Sequence, residues 1–169
     1  MDSGILVLRI VLGLLMAAHG AQKLFGWFGG HGLAGTGGFF EGLGFRPGRV
    51  FAAAAATTEM GSGLLIALGL FGPVGPALMV SVMVVAAVSV HGAHGLFAAS
   101  NGIEMPLLYG IGGAALALTG PGSYSLDALL GLSGYWIPVF SWAALVAGIL
   151  GGAVNLALRH KPAPAPVAA

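Results

Sequence analysis

Five stretches of the chain are apolar for long enough to suggest membrane passage: residues 4–25, 50–71, 74–98, 103–120 and 137–158. A bilayer-spanning helix needs about 20 predominantly apolar residues. The fourth stretch is short and is broken by Pro106 and several glycines. All five are expected to be helices, because backbone groups in lipid must bond within their own segment. The first stretch carries its polar residues in a pattern. At 100° per residue, Arg9, Gly13, Met16, His19, Gly20 and Lys23 fall within an arc of about 120°. Val7, Val11, Leu14, Leu15 and Ala18 lie roughly opposite. One face therefore suits lipid and the other suits packed protein with a polar seam.

The second stretch carries Glu59 near its middle, with Ala52, Ala55, Ala56, Ser62, Gly63 and Ile66 on the same face. Small residues around one acid permit close helix approach, so Glu59 is expected to face the bundle interior. Arg9 and Lys23 are the candidate cations to meet it. The third stretch is apolar until His91 and His94, and the fourth begins after Asn101 with Glu104. The fifth is uncharged, with Gly148 and Gly152 at packing spacing. Residues 161–169, rich in proline and alanine, read as a disordered extended end.

Between the first two stretches, Gly26 to Gly48 holds ten glycines. A nucleotide loop is rejected, since no Gly-Lys-Ser/Thr follows and no strand precedes. Trp27, Phe28, Phe39, Phe40 and Phe45 suit the water–lipid interface, so an interfacial turn or short re-entrant element is expected. An internal echo also stands out. His19-Gly-Ala-Gln-Lys-Leu-Phe25 and His91-Gly-Ala-His-Gly-Leu-Phe97 agree at five of seven positions, and each precedes a Glu-Met pair, Glu59-Met60 and Glu104-Met105. Parallel repeats would place His19 and His91 at similar depth around a central space.

Composition fixes the class. The 169 residues are 57% hydrophobic and 7% charged, where soluble domains carry about 25% charged residues. The net charge of +1 offers no basic surface for nucleic acid. The absence of cysteine excludes thiolate metal sites, iron–sulfur clusters and disulfides on this chain. The first stretch lacks the basic flank of a signal peptide and is too long for one. With five crossings, Lys23, Arg46, Arg49, Arg159 and Lys161 fall on one side, and Asp2 and Asp127 on the other. This places the N-terminus outside and the C-terminus in the cytoplasm.

The residues Arg9…Gly13…His19-Gly…Lys23-Leu, Gly38-Phe-Phe-Glu-Gly-Leu-Gly-Phe45 and Glu59-Met-Gly-Ser-Gly-Leu-Leu-Ile-Ala-Leu-Gly69 resemble the DoxX family of small bacterial membrane proteins. The His91/Glu104 pair and Gly120-Pro-Gly-Ser-Tyr-Ser-Leu-Asp127 extend the resemblance, which covers residues 4 to 127. It implies an all-α four-helix transmembrane bundle over residues 1–127 in the bacterial inner (plasma) membrane, to which residues 128–160 would add a fifth transmembrane helix. It also implies a role near redox chemistry: DoxX-like proteins are described as subunits of quinol oxidase or thiosulfate:quinone oxidoreductase assemblies, and as membrane partners in oxidative-stress complexes.

Glu59 is the foremost site candidate, as a proton carrier or as a hydrogen-bond partner for a polar ligand head. Arg9 and Lys23 would pair with it, or would snorkel to their own interfaces. His19 or His91 could donate to a quinone carbonyl while Glu59 handles a proton. Two histidines at equal depth could also hold a haem, but nothing in their spacing requires one. His91 and His94, with Glu104 as a third group, could approach a metal; helix-end solvation explains the histidines, and a helix N-terminus suits Glu104, so no metal site is assigned. No self-sufficient catalytic constellation is present, so catalytic residues are left unassigned and the chain would be at most an oxidoreductase subunit. The expected function is a membrane subunit of a redox assembly, with the bilayer and redox proteins as partners and a quinone near Glu59. The alternatives are a small transporter or a purely structural scaffold.

Overall fold

The computed structural model describes residues 1–160; the expected Pro/Ala tail, residues 161–169, lies outside them. Among the described residues there is no strand. Five long elements run between the same two ends of a helical bundle: α1 (Asp2–Phe25), α3 (Gly48–Leu68), α4 (Val74–Ala86), α5 (Glu104–Thr119) and α7 (Pro138–Ala157). Two short ones, α2 (Gly32–Gly42) and α6 (Leu126–Leu129), lie at opposite ends. The chain is an integral membrane protein. Four helical runs, Asp2–Phe25, Gly48–Leu68, Val74–His94 and Pro138–Ala157, are long and apolar enough to cross a membrane. Helix α5, with 16 residues, measures about 24 Å at 1.5 Å per residue.

The seam of α1 faces inward as its periodicity predicts. Arg9, Gly13, Met16 and Gly20 are buried, while Val7, Val11, Leu14 and Leu15 are exposed to the surroundings. Helix α3 buries Ala52, Ala56, Glu59, Ser62, Gly63 and Ile66 against it. The two run antiparallel at very close range. A Cβ on Gly13 would lie 2.6 Å from Gly63 O and from Ala67 N, and one on Gly20 would lie 2.5 Å from Met60 N. Small residues thus let main chain meet main chain, the usual means of helix association where lipid removes the hydrophobic drive. Met16, Ile66, Met79, Tyr109 and Leu116 fill the space among α1, α3, α4 and α5.

Helix α3 stops three residues earlier than expected because Gly69 takes a left-handed conformation, φ 65°, which frees its N–H to close the last turn on Ile66 O. Helix α4 then returns, and continues through a π-helical turn, Ala87–His91, rather than as regular α-helix. Helix α7 packs along α4 in parallel: a Cβ on Gly148 would meet Ala77 and one on Gly152 would lie 2.8 Å from Ser81 O. Its last residues reach the opposite end of the bundle, where His160 N donates to Gly44 O at 2.9 Å and Arg159 donates to Leu43 O.

The segment expected to be an interfacial turn or short re-entrant element holds an 11-residue helix, α2, laid against α3. Its aromatics divide. Trp27, Phe28 and Phe39 are exposed, but Phe45 is only 2% exposed. Phe45 stacks between Phe40 and Phe51 at centroid separations of 5.8 and 5.4 Å. Phe45 is thus interior wall, because the turn from α2 into α3 folds it back under the helix pair.

Candidate functional site

Lys23, in the last turn of α1, and Glu59, midway along α3, form an ion pair. The antiparallel register set by Gly13, Gly20 and Gly63 brings these two positions level. Glu59 is 4% exposed. Its Oε1 accepts from Lys23 Nζ, and its Oε2 is buried with no partner among the described residues. A buried polar atom without a partner is uncommon, and low dielectric makes it costly.

The pair stands in a wall shared by two cavities. One, of about 240 Å³, lies between α2, α3, α4 and α7, and is lined by Phe39, Phe40, Phe45, Phe51, Val82 and Val85. Thr58, Ser81, Ser89 and Asn155 supply its few polar groups. The other, of about 290 Å³, opens among α1, α4 and α5, beside Met16, Met83, Met105 and Tyr109. Lys23, Glu59, Ala86 and His91 line both. An apolar, aromatic chamber with a few convergent polar groups is the usual form of a small-molecule site.

His91 sits at the end of the π-helical turn. Such turns are rare in α-helices and are frequent at functional sites. The Nδ1 of His91 lies 2.8 Å from Asn101 O. A carbonyl oxygen only accepts, so Nδ1 carries the proton, and in the neutral ring Nε2 is an acceptor. His19 lines the second cavity, where its ring meets Tyr109 edge-on at 5.9 Å. The echo between the two histidine motifs therefore does place His19 and His91 on one cavity. It does not extend to the acids: Glu59 is in mid-helix, whereas Glu104 opens α5.

Arg9 and Glu104 do not join this group. Arg9 is 3% exposed and lies toward the other end of α1. Its Nε donates to Ile66 O at 3.0 Å and its Nη2 to Ala67 O at 3.0 Å. Its Nη1 donates to Tyr124 O at 3.0 Å and also to Pro121 O. These are the last carbonyls of α3 and the loop after α5, so Arg9 caps one helix and pins one loop instead of pairing with Glu59. Glu104 accepts from Ala98 N at 2.7 Å, which folds the 95–103 connection back on the start of α5. His94 is exposed, with Nδ1 3.1 Å from Val90 O. Among the described residues no three His, Cys, Asp or Glu side chains gather as a metal site.

Phe51, Tyr109 and Ser89 line the cavities but give no distinct signal in the sequence, each being a lone uncharged residue in an apolar stretch, and Phe40 and Phe45 were expected at the water–lipid interface. Asp127 also differs from a local turn residue. It is fully buried, accepts from Phe71 N at 2.9 Å and Gly72 N at 2.6 Å, and its own N–H donates to Gly69 O at 3.0 Å. It clamps the α3–α4 turn from 55 residues away.

Compared with known proteins, residues 4–92, just over half of the chain, match the family model described as DoxX. No curated protein matches the chain. No solved structure matches it.

Proposed function

The chain belongs to the DoxX family, and from that premise we propose that it is a membrane subunit of a redox assembly which holds a quinone-type carrier beside Glu59. The observation that carries this reading is the buried Glu59 Oε2, left without a partner where two cavities adjoin. Phe40, Phe45 and Phe51 give a carrier's ring an apolar, aromatic wall to lie against. Thr58, His91 and Lys23 are the polar groups for its head. Electron transfer belongs to a partner's cofactor, because no side chain here conducts that chemistry alone.

In this reading the protein lies in the bacterial plasma membrane with its N-terminus outside and its C-terminus in the cytoplasm. Lys23, Arg46, Arg49 and Arg159 gather at one end of the bundle, and five helices run between the ends, which supports that orientation under the positive-inside rule.

The test is to purify the chain in mild detergent, extract it with organic solvent and identify the bound molecules by mass spectrometry, with Glu59→Gln alongside. Stoichiometric quinone in the wild type, lost in the variant, is the expected result. Bulk lipid alone in both samples overturns the reading.

A further inference from the structure

We propose that the turn between α2 and α3 holds the phosphate of an anionic phospholipid, gripped by Arg46, Arg49 and Arg159. This site is separate from the carrier site, since none of the three lines either cavity at Glu59.

The three arginines come from two distant parts of the chain, and two glycines bring them together. Gly44, at φ 95°, lies so close to the end of α7 that a Cβ there would strike His160 O and would lie 3.3 Å from Arg159 Cγ. The main chains are joined at that point, where His160 N donates to Gly44 O at 2.9 Å. Arg159 Nε donates to Leu43 O, which fixes its guanidinium against the turn while both Nη groups stay uncommitted among the described residues. Gly37 lets the stem of Arg49 lie on α2: a Cβ on Gly37 would be 2.9 Å from Arg49 Cγ. Arg46 stands in the turn itself, and both it and Arg49 are exposed.

Charge at the turn is unbalanced. The acid beside it is Glu41, whose Oε1 accepts from Gly48 N at 3.1 Å at the start of α3. The one ion pair among the described residues is Lys23–Glu59, so three guanidiniums meet one carboxylate that is already engaged. Guanidinium forks match phosphate oxygens two at a time and stay charged at any physiological pH.

Depth points to a lipid as the source of that phosphate. Arg46 comes just before the 21-residue crossing helix α3, Arg49 lies in its first turn, and Arg159 comes just after the 20-residue α7. Helices of that length match a hydrocarbon core of about 30 Å, so their ends lie level with phospholipid phosphates. Val50, Val154 and Leu158, each more than half exposed, continue from the arginines along the outside of the bundle and suit acyl chains. Each arginine near a membrane surface is worth about fivefold in binding an anionic head.

The experiment titrates the purified, delipidated full-length chain in mild detergent with phosphatidylglycerol and with phosphatidylcholine of identical chains, and counts bound lipid by native mass spectrometry. Wild type is expected to bind the first phosphatidylglycerol at least tenfold more tightly than phosphatidylcholine. Arg159→Gln should lower that preference about fivefold, and Arg46→Gln/Arg49→Gln should bring the two lipids within about twofold. Thermal melting checks that each variant is folded, and either one suffices if the other fails. Ala99→Glu, in the exposed connection before α5, removes the same net charge as Arg159→Gln away from the turn and should leave the preference unchanged. Equal binding of the two lipids by wild type overturns the site and leaves the arginines to an acidic protein surface. A loss in Ala99→Glu as large as in Arg159→Gln assigns the preference to overall charge and overturns the site as well. Displacement of the lipid by an equal concentration of glycerol phosphate marks a site for free phosphate and overturns the lipid assignment.

Discussion

Gly13 of α1 and Gly63 of α3 face one another with no room for a side chain: a Cβ on Gly13 would lie 2.6 Å from Gly63 O, and one on Gly63 would lie 2.9 Å from Ala17 Cα. The neighbours are main chain, which cannot swing aside. Gly63→Leu is therefore expected to force α1 and α3 apart and lower stability by about 1–3 kcal/mol, the usual range for overpacking. Gly61→Ala, two residues away with nothing within 4 Å of its added Cβ, is the control and should melt like wild type. Thermal unfolding in detergent, followed by circular dichroism, reads both. The same separation should disturb the Lys23–Glu59 pair, because the glycine contacts set the register that brings those residues level.

That register explains what could and could not be read from sequence. Periodicity assigns a face, so the inward placement of Arg9, Met16 and Glu59 and the lipid-facing side of α1 were legible. Four of the five expected crossings were legible as runs long and apolar enough to span a bilayer; the stretch expected at 103–120 forms a helix of only 16 residues and falls short of that length. Depth was not legible. Whether Arg9 or Lys23 meets Glu59 depends on how far α3 slides along α1, and glycine contacts between main chains decide it. Glu104 falls in the first turn of its helix, as expected of an acid that suits a helix N-terminus, and accepts from the connecting loop at Ala98 N. Helix α2 was hidden because its glycines carry no apolar period; it forms where Gly37 and Gly48 let it lie against α3. Phe45 was hidden because a phenylalanine suits an interface and an interior wall equally well.

Arg9 should prove structural. Its guanidinium satisfies carbonyls of Ile66, Ala67, Pro121 and Tyr124, a planar fork of five donors that a lysine ammonium cannot reproduce. Arg9→Lys is expected to cost about 1–3 kcal/mol. Arg9→Met is expected to cost about 3 kcal/mol or more, since several buried carbonyls lose a charged donor. Chemical denaturation in detergent measures both. The amount of carrier extracted per folded molecule should stay at the wild-type value, because Arg9 lines neither of the two cavities at Glu59. A carrier loss in a folded Arg9→Lys variant would contradict that separation.

Asp127 should govern the α3–α4 turn from a distance. Each of its carboxylate oxygens accepts one amide, from Phe71 and from Gly72. Phe71 holds φ 59°, an uncommon conformation for a phenylalanine, and the clamp maintains it. Asp127→Asn replaces one acceptor by an NH2 group facing an N–H. The expected cost is about 1–3 kcal/mol, the range for a buried group left unsatisfied. Amide hydrogen exchange at Phe71 and Gly72 should rise at least tenfold, while exchange in the middle of α1 stays protected. Uniform acceleration across the bundle would mean that the clamp stabilises the whole fold instead of this turn.

The Lys23–Glu59 pair separates a working site from a scaffold, because the two make different demands on the double variant. Breaking a largely buried pair from one side leaves the remaining charge uncompensated, so Lys23→Met and Glu59→Leu should each destabilise. Replacing both with apolar groups is often neutral or even stabilising. A double-mutant cycle on thermal stability should therefore show a coupling of about 1–3 kcal/mol, since the residues touch. If the pair only fixed packing, the double variant would recover the wild-type melting point together with every other property. With a carrier site at Glu59, recovery is partial in kind: Lys23→Met/Glu59→Leu melts close to wild type yet retains no carrier on extraction, because the buried acceptor at Oε2 is gone. Wild-type carrier content in a stable double variant would assign the pair to the scaffold and move the site elsewhere in the two cavities.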